Sequence, residues 1–220
     1  MKPELIVALD VDSFDKAKKI VNQLCPNVKI FKVGLQLFTI AGPKIIDYIN
    51  RKEAKVFLDL KLFDIPNTVA NAVEAACALK VKMLTLHIAG GQDMLLAAIK
   101  AIKPLPLTYR PLLIGVTVLT SQKAAKTKVL SLAKQAKTVG LDGVVCSVKE
   151  TQVLKNKLGK NFIVVNPGIR PKDTKTNDQK RVATPKDAVN AGSDFIVVGR
   201  PILEAKNPSL AAQKILDEIK

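Results

Sequence analysis

The sequence predicts an α/β fold, a (β/α)8 barrel (TIM barrel), on three observations. Eight short apolar segments with strand character alternate with helical patterns along the chain. Such alternation implies right-handed crossovers and a parallel sheet. The chain has 220 residues, which suits one barrel of about 250 residues better than two domains. The alternative, an open doubly wound sheet, has fewer units and wants a glycine-rich turn after its first strand. That turn reads Leu9-Asp10-Val11-Asp12-Ser13, with no glycine.

The expected strands are Leu5–Val11, Lys29–Gly34, Lys55–Lys61, Met83–Ala89, Leu112–Leu119, Gly143–Val148, Phe162–Asn166 and Phe195–Gly199. A helical stretch follows each. Ser13 stands where an N-cap belongs, ahead of Phe14-Asp15-Lys16-Ala17; its hydroxyl can accept an orphan N–H of the first turn. After the third strand, Pro66 suits a first-turn position, and Val69, Val73 and Ala76 repeat at helical spacing. Thr184-Pro185 opens the seventh helix in the same way, and the last helix starts near Pro208-Ser209. No linker or low-complexity stretch divides the chain, so residues 1–220 read as one barrel domain.

Hydrophobic residues make up 48% of the chain, enough for a large core, but tryptophan is absent and aromatics are few. Core volume must therefore come from Val, Ile, Leu and Ala, which parallel sheets and their covering helices favour. Cys25, Cys77 and Cys146 are widely spaced and form no CxxC pair, which argues against a disulfide framework or a zinc site. Met1-Lys2-Pro3-Glu4 enters a strand directly, without a signal peptide, and no apolar run has membrane-spanning length. A cytoplasmic protein with no membrane partner is expected. The net charge of +16 could attract nucleic acid. The lysines are scattered over many helices, however, and no aromatic-basic interleaving accompanies them, so a solvated surface is the preferred reading.

A barrel carries its active site at the C-terminal ends of its strands. The polar residues there are Asp10, Lys32, Asp59, Lys61, His87, Thr120 and Arg200. In the third strand, alternation puts Val56, Leu58 and Leu60 on the helix-facing side and Phe57, Asp59 and Lys61 toward the barrel interior. Charges buried there need partners. A salt bridge closing the barrel mouth would explain Asp59 with Lys61. It explains less well why Asp10, Lys32 and Asp64 gather at the same end. At the eighth strand, Gly199 permits close backbone approach and Arg200 offers a planar pair of donors that matches phosphate. The polar stretch from Arg170 to Ala183 has no apolar periodicity, and loops of that length are uncommon unless functional. A plain surface loop is the alternative, and Lys172-Asp173-Thr174-Lys175 would satisfy it.

Asp59-Leu60-Lys61-Leu62-Phe63-Asp64-Ile65-Pro66-Asn67-Thr68 resembles the signature of the orotidine 5′-monophosphate decarboxylase family, D-x-K-x-x-D followed by I-P-N-T. The likeness spans the chain: Ala8-Leu9-Asp10, Phe31-Lys32-Val33-Gly34, His87-Ile88-Ala89-Gly90-Gly91, Val118-Leu119-Thr120-Ser121, Pro167-Gly168-Ile169-Arg170-Pro171, Asp178-Gln179-Lys180-Arg181 and Val198-Gly199-Arg200-Pro201. It implies a cofactor-free, metal-free lyase that converts orotidine 5′-monophosphate to UMP and CO2. It further implies a catalytic array of Lys32, Asp59, Lys61 and Asp64, with Lys61 giving the proton to C6. Asp64 and Thr68 would reach the other subunit of a homodimer. Asp10 and Lys32 would meet the ribose, and Thr120, with Ser121 beside it, the pyrimidine. Leu60, Leu62, Phe63, Ile65, Pro66 and Asn67 complete the substrate-lining run. Gly199 and Arg200 would hold the phosphate under a lid with Arg170 at its base and Gln179 as the bridging side chain. The lid reads Asn177-Asp178-Gln179 where the family often has Gly-Asp-Gln. His87, the only histidine, reads as structural, because Lys61 already supplies the proton.

Three other readings compete. A related barrel, the 3-keto-L-gulonate 6-phosphate decarboxylase or hexulose-phosphate synthase type, shares D-x-K-x-x-D but uses Mg2+; Ile65-Pro66-Asn67-Thr68 and Gln179 argue against it. A basic nucleic-acid-binding barrel would want its cations on one face. A catalytically dead barrel would not need every residue of the array.

Overall fold

A computed structural model describes residues 2–119, 122, 125–171 and 182–220. Eight parallel strands close into a barrel in sequence order, with the first pairing the last. The chain runs β1 Glu4–Ala8, α1 Phe14–Leu24, β2 Ile30–Gly34, α2 Leu35–Ala41, α3 Pro43–Arg51, β3 Lys55–Leu62 and α4 Pro66–Ala78. It continues with β4 Met83–His87, α5 Gly91–Ile102, β5 Leu112–Val116, α6 Lys126–Val139, β6 Gly143–Val145 and α7 Val148–Leu158. It ends with β7 Ile163–Asn166, α8 Pro185–Ala191, β8 Phe195–Val198, α9 Arg200–Leu203 and α10 Pro208–Glu218.

Two apolar layers follow from strand alternation. Ile6, Ala8, Ile30, Phe57, Met83, Ile114, Val165, Phe195 and Val197 fill the barrel interior. The opposite strand faces, including Val7, Val33, Val56, Leu58, Leu84 and Val198, pack under the helices. Interior side chains of this bulk make the barrel a packed core rather than a pore. They also confine polar residues to its mouth. At β6 the packing leaves no room for a side chain: a Cβ on Gly143 would lie 2.2 Å from the Ile163 carbonyl oxygen of β7.

The helix starts match their sequence signals. The Ser13 side chain accepts from the Lys16 N–H, Pro66 begins α4, and Thr184 caps α8 through a reciprocal pair with Asp187. Strand ends differ more. The first strand stops at Ala8 rather than Val11, and the fifth at Val116 rather than Leu119. The sixth stops at Val145 rather than Val148, because Ser147 and Glu150 form a capping box that turns the chain into α7. The helical stretch after β2 is two helices, split at Gly42, whose φ of 55° breaks the first before Pro43 opens the second.

Beyond β7 the backbone is pinned. The Arg170 N–H donates to the Ala183 carbonyl at 2.9 Å, and the Ala183 N–H to that of Gly168 at 3.2 Å. Gly168–Arg170 and Ala183, on either side of the undescribed residues, are thus held together beyond β7. Among the described residues no helix is long and apolar enough to cross a membrane.

Candidate active site

Four of the expected site residues form a line of alternating charge across the ends of β1, β2 and β3. Lys32 Nζ lies 2.9 Å from Asp10 Oδ1 and 3.7 Å from Asp59 Oδ2. Lys61 Nζ lies 2.8 Å from the same Asp59 oxygen. The side chains of Lys32 and Asp59 are each only 12% exposed. Charges this deep persist when each has an opposite neighbour at contact distance, and the line supplies one to every member.

The third strand delivers two of the four by an irregular backbone. Leu58 pairs with Leu84, and the next registered pair is Leu62 with Leu86. Extra residues on β3 therefore face Thr85 of β4, and Lys61 takes a left-handed φ of 52°. Simple alternation puts Lys61 on the inner face; the structure reaches that result through a bulge. Thr85, fully buried, accepts the Lys61 N–H at 2.8 Å and donates its own proton to Asp59 Oδ1 at 3.0 Å.

The line borders a cavity of about 130 Å³. Lys32, Asp59 and Lys61 form one side; Phe57, Val116, Val118, Leu119, Val145, Val165, Pro167 and Val197 form the rest. The sequence reading missed both this aliphatic wall and Thr85. Val118 and Leu119 look like strand residues but lie past the end of β5. For Thr85 the signal was available: alternation through Met83, Thr85 and His87 sets it on the inner face of β4.

The rest of the signature is divided. Leu60 and Leu62 pack outward against the helix-facing core. Residues 63–68 are exposed at the rim, with Phe63 63% and Ile65 66% accessible. Asp64 Oδ1 accepts the Ile65 N–H at 2.7 Å, and among the described residues it makes no ion pair with the line. Thr68 sits exposed in the first turn of α4, with Pro66 and Asn67; Ile65 is the N-cap, and no side chain caps this helix.

Gly199 precedes α9 and Arg200 is its first residue. A Cβ on Gly199 would stand 3.5 Å from Asp10 Oδ2, so the strand-eight turn adjoins the Asp10 end of the line. Arg170 is buried at the pinned base beyond β7. Thr120, Ser121 and Gln179 lie outside the described residues. His87 ends β4 with its ring 5.6 Å from that of Phe63. Burial and then the positive charge of Lys61 hold its imidazole below the ordinary value, so it is neutral at pH 7. No group of three or more His, Cys, Asp or Glu among the described residues could hold a metal ion.

Residues 3–215 match the family model described as Orotidine 5'-phosphate decarboxylase / HUMPS family. A Legionella pneumophila (strain Corby) protein named orotidine 5'-phosphate decarboxylase is 46% identical over 233 residues, covering the whole of both chains. A Coxiella burnetii (strain RSA 331 / Henzerling II) protein of the same name is 41% identical over 229 residues, covering 99% of this chain and 97% of that one. The crystal structure of orotidine 5'-phosphate decarboxylase from Lactobacillus acidophilus superposes with a TM-score of 0.86 at 39% identity, over the whole of both chains.

Proposed function

The chain belongs to the orotidine 5'-phosphate decarboxylase / HUMPS family, and from that premise we propose that it converts orotidine 5′-monophosphate to UMP and CO2 in pyrimidine biosynthesis. The observation that carries the reading is the alternating line Asp10-Lys32-Asp59-Lys61 set against an aliphatic cavity. The bond from C6 of the pyrimidine to the carboxylate breaks, CO2 leaves, and the electron pair stays on C6. The Lys61 ammonium stabilises that charge in a water-poor setting and then transfers a proton to C6. Lys61 regains its proton from solvent.

The aliphatic wall suits a flat ring from which water must be excluded. The cavity is smaller than the roughly 300 Å³ and upward common for whole drug-sized ligands. It therefore takes the ring, and the remaining nucleotide lies along the rim. Asp10 and Lys32 take the ribose hydroxyls, and Thr120, outside the described residues, is expected to meet the ring. Gly199, next in space after Asp10, and Arg200 take the phosphate, with Arg170 at the base of the segment whose Gln179, outside the described residues, is expected to bridge to it. Asp59 holds Lys32 and Lys61 in place.

We read the working form as a cytoplasmic homodimer that needs no metal or cofactor. Leu35, Ile40, Phe63 and Ile65 leave large apolar side chains exposed, which suits a protein-covered surface. A second copy there would bring its Asp64 and Thr68 to this chain's line. Mixing Lys61→Ala with Asp64→Ala subunits tests this. One wild-type site per mixed dimer is expected, so about half of full activity per mixed dimer and about a quarter for a random equimolar mixture; no recovery on mixing would reject the shared site.

The reading as a whole is tested by following orotidine 5′-monophosphate by ultraviolet absorbance, with and without EDTA, and identifying UMP by chromatography. Conversion that ignores EDTA and disappears in Lys61→Ala is expected. A folded protein that leaves this nucleotide untouched, or that requires Mg2+ for a sugar phosphate instead, would overturn it.

A further inference from the structure

Thr85 carries no charge, is not among the residues lining the cavity beside the charged line and lies outside the signature, yet it holds both ends of the Asp59–Lys61 pair. The bulge explains why it is needed. Between the pairs Leu58–Leu84 and Leu62–Leu86, the ladder of β3 and β4 loses register, and the Lys61 N–H faces a side chain instead of a strand carbonyl. The Thr85 hydroxyl takes that N–H at 2.8 Å. A backbone N–H can only donate, so the threonine oxygen is the acceptor in this bond. Its single proton is then directed to Asp59 Oδ1, 3.0 Å away, and the other Asp59 oxygen meets Lys61 Nζ. One hydroxyl thus closes a ring that runs from the Lys61 backbone, through Thr85 and the Asp59 carboxylate, to the Lys61 ammonium.

We propose that Thr85 is a positioning residue for Lys61: it stabilises the left-handed backbone from which the lysine side chain reaches C6, and it orients the carboxylate that aims the ammonium. A non-glycine residue at φ 52° persists only where its surroundings over-determine it, and Thr85 supplies that determination from a fully buried site. The inference rests on the reading of Lys61 as proton donor.

The test compares wild type, Thr85→Val, Thr85→Ser and Lys61→Ala in one decarboxylation assay, with UMP binding and thermal unfolding measured alongside. Thr85→Val keeps the shape and removes the hydroxyl. Its kcat falls by about 10- to 100-fold, as expected when a reacting group is displaced by about 1 Å, while KM and UMP affinity stay within about 3-fold of wild type. Thr85→Ser restores most of kcat. Thr85→Ala, which adds no atom, carries the same expectation as valine should valine fail to fold. Wild-type kcat in the valine and alanine variants would overturn the proposal. So would a serine variant as slow as valine, or a parallel loss of kcat, UMP affinity and thermal stability. A Lys61→Ala enzyme that still turns over would instead overturn the reading beneath it.

Discussion

Around Asn166 every polar atom faces another polar atom; around Asp59 two ammonium groups and a carboxylate face a cavity. Asn166, fully buried at the end of β7, donates to the Cys146 carbonyl at 2.8 Å. Its Oδ1 accepts from Thr151 at 3.1 Å and from Ser193 at 2.6 Å. The cluster is neutral; even its thiol, Cys146, is pushed up to about 12 by burial and stays protonated. The Asp59 cluster is charged, and its cations keep one side open. A buried network that is neutral and saturated rigidifies. One that is charged and unsaturated toward a cavity has interactions in reserve for a substrate. On the proposed function, the difference separates a structural polar core from a working one within a single barrel.

The sharpest way to break the comparison is to delete one member from each side. Lys61→Ala should lower kcat by about 10⁴-fold or more, combining loss of the proposed proton donor with loss of its charge. Its melting temperature should barely move. Asn166→Ala should do the opposite: about 2–4 kcal/mol of stability lost from a disrupted buried network, with kcat of the folded fraction near wild type. Stopped assays and thermal scans on both variants check this, and exchanged effects would erase the distinction.

Sequence reasoning located the charged cluster because charge at an inward strand end demands an explanation. Asp10, Lys32, Asp59 and Lys61 stood out for that reason, and they do meet. It passed over the neutral partners. A threonine in Met83-Leu84-Thr85-Leu86-His87 looks like an ordinary strand former, and only the bulge opposite gives its hydroxyl work. Strand ends were overrun for a related reason: an apolar run such as Val144-Val145-Cys146 holds no stop signal, and Ser147 acts as one only once Glu150 folds back onto its N–H. Val118 and Leu119 show the same limit, since their role as cavity wall depends on where β5 ends.

A smaller effect is expected at the rim. Arg200→Ala should reduce kcat/KM by about 30- to 150-fold, equivalent to about 2–3 kcal/mol for charge-assisted contacts to phosphate. Orotidine lacking the phosphate should be turned over equally by both enzymes; a variant impaired equally on both compounds would place Arg200 outside phosphate recognition.

The smallest effect concerns His87, which adjoins the charged cluster without joining it. Its folded-state pKa lies below the ordinary 6.5 because of burial and Lys61. Below that pH the unfolded chain takes up a proton that the folded chain refuses, so the contribution is fully present above about pH 6.5 and is lost as pH falls toward the folded value. Thermal scans from pH 7.5 to about 5 should fall more steeply for wild type than for His87→Gln. Superimposable slopes would mean that this imidazole titrates normally.

The seam between β1 and β8 has a consequence for how the protein comes into being. Glu4 pairs with Phe195, and the Glu4 N–H donates to the Asp194 carbonyl, so the first strand waits for almost the entire chain before gaining its second neighbour. Contacts so distant in sequence slow folding and leave strand edges open meanwhile. The Asp10 end of the charged line flanks this seam, with Gly199 against it. The Lys61 end of the line, set by β3 and β4, can thus pair before β8 exists, whereas the Asp10–Gly199 approach must wait for β8.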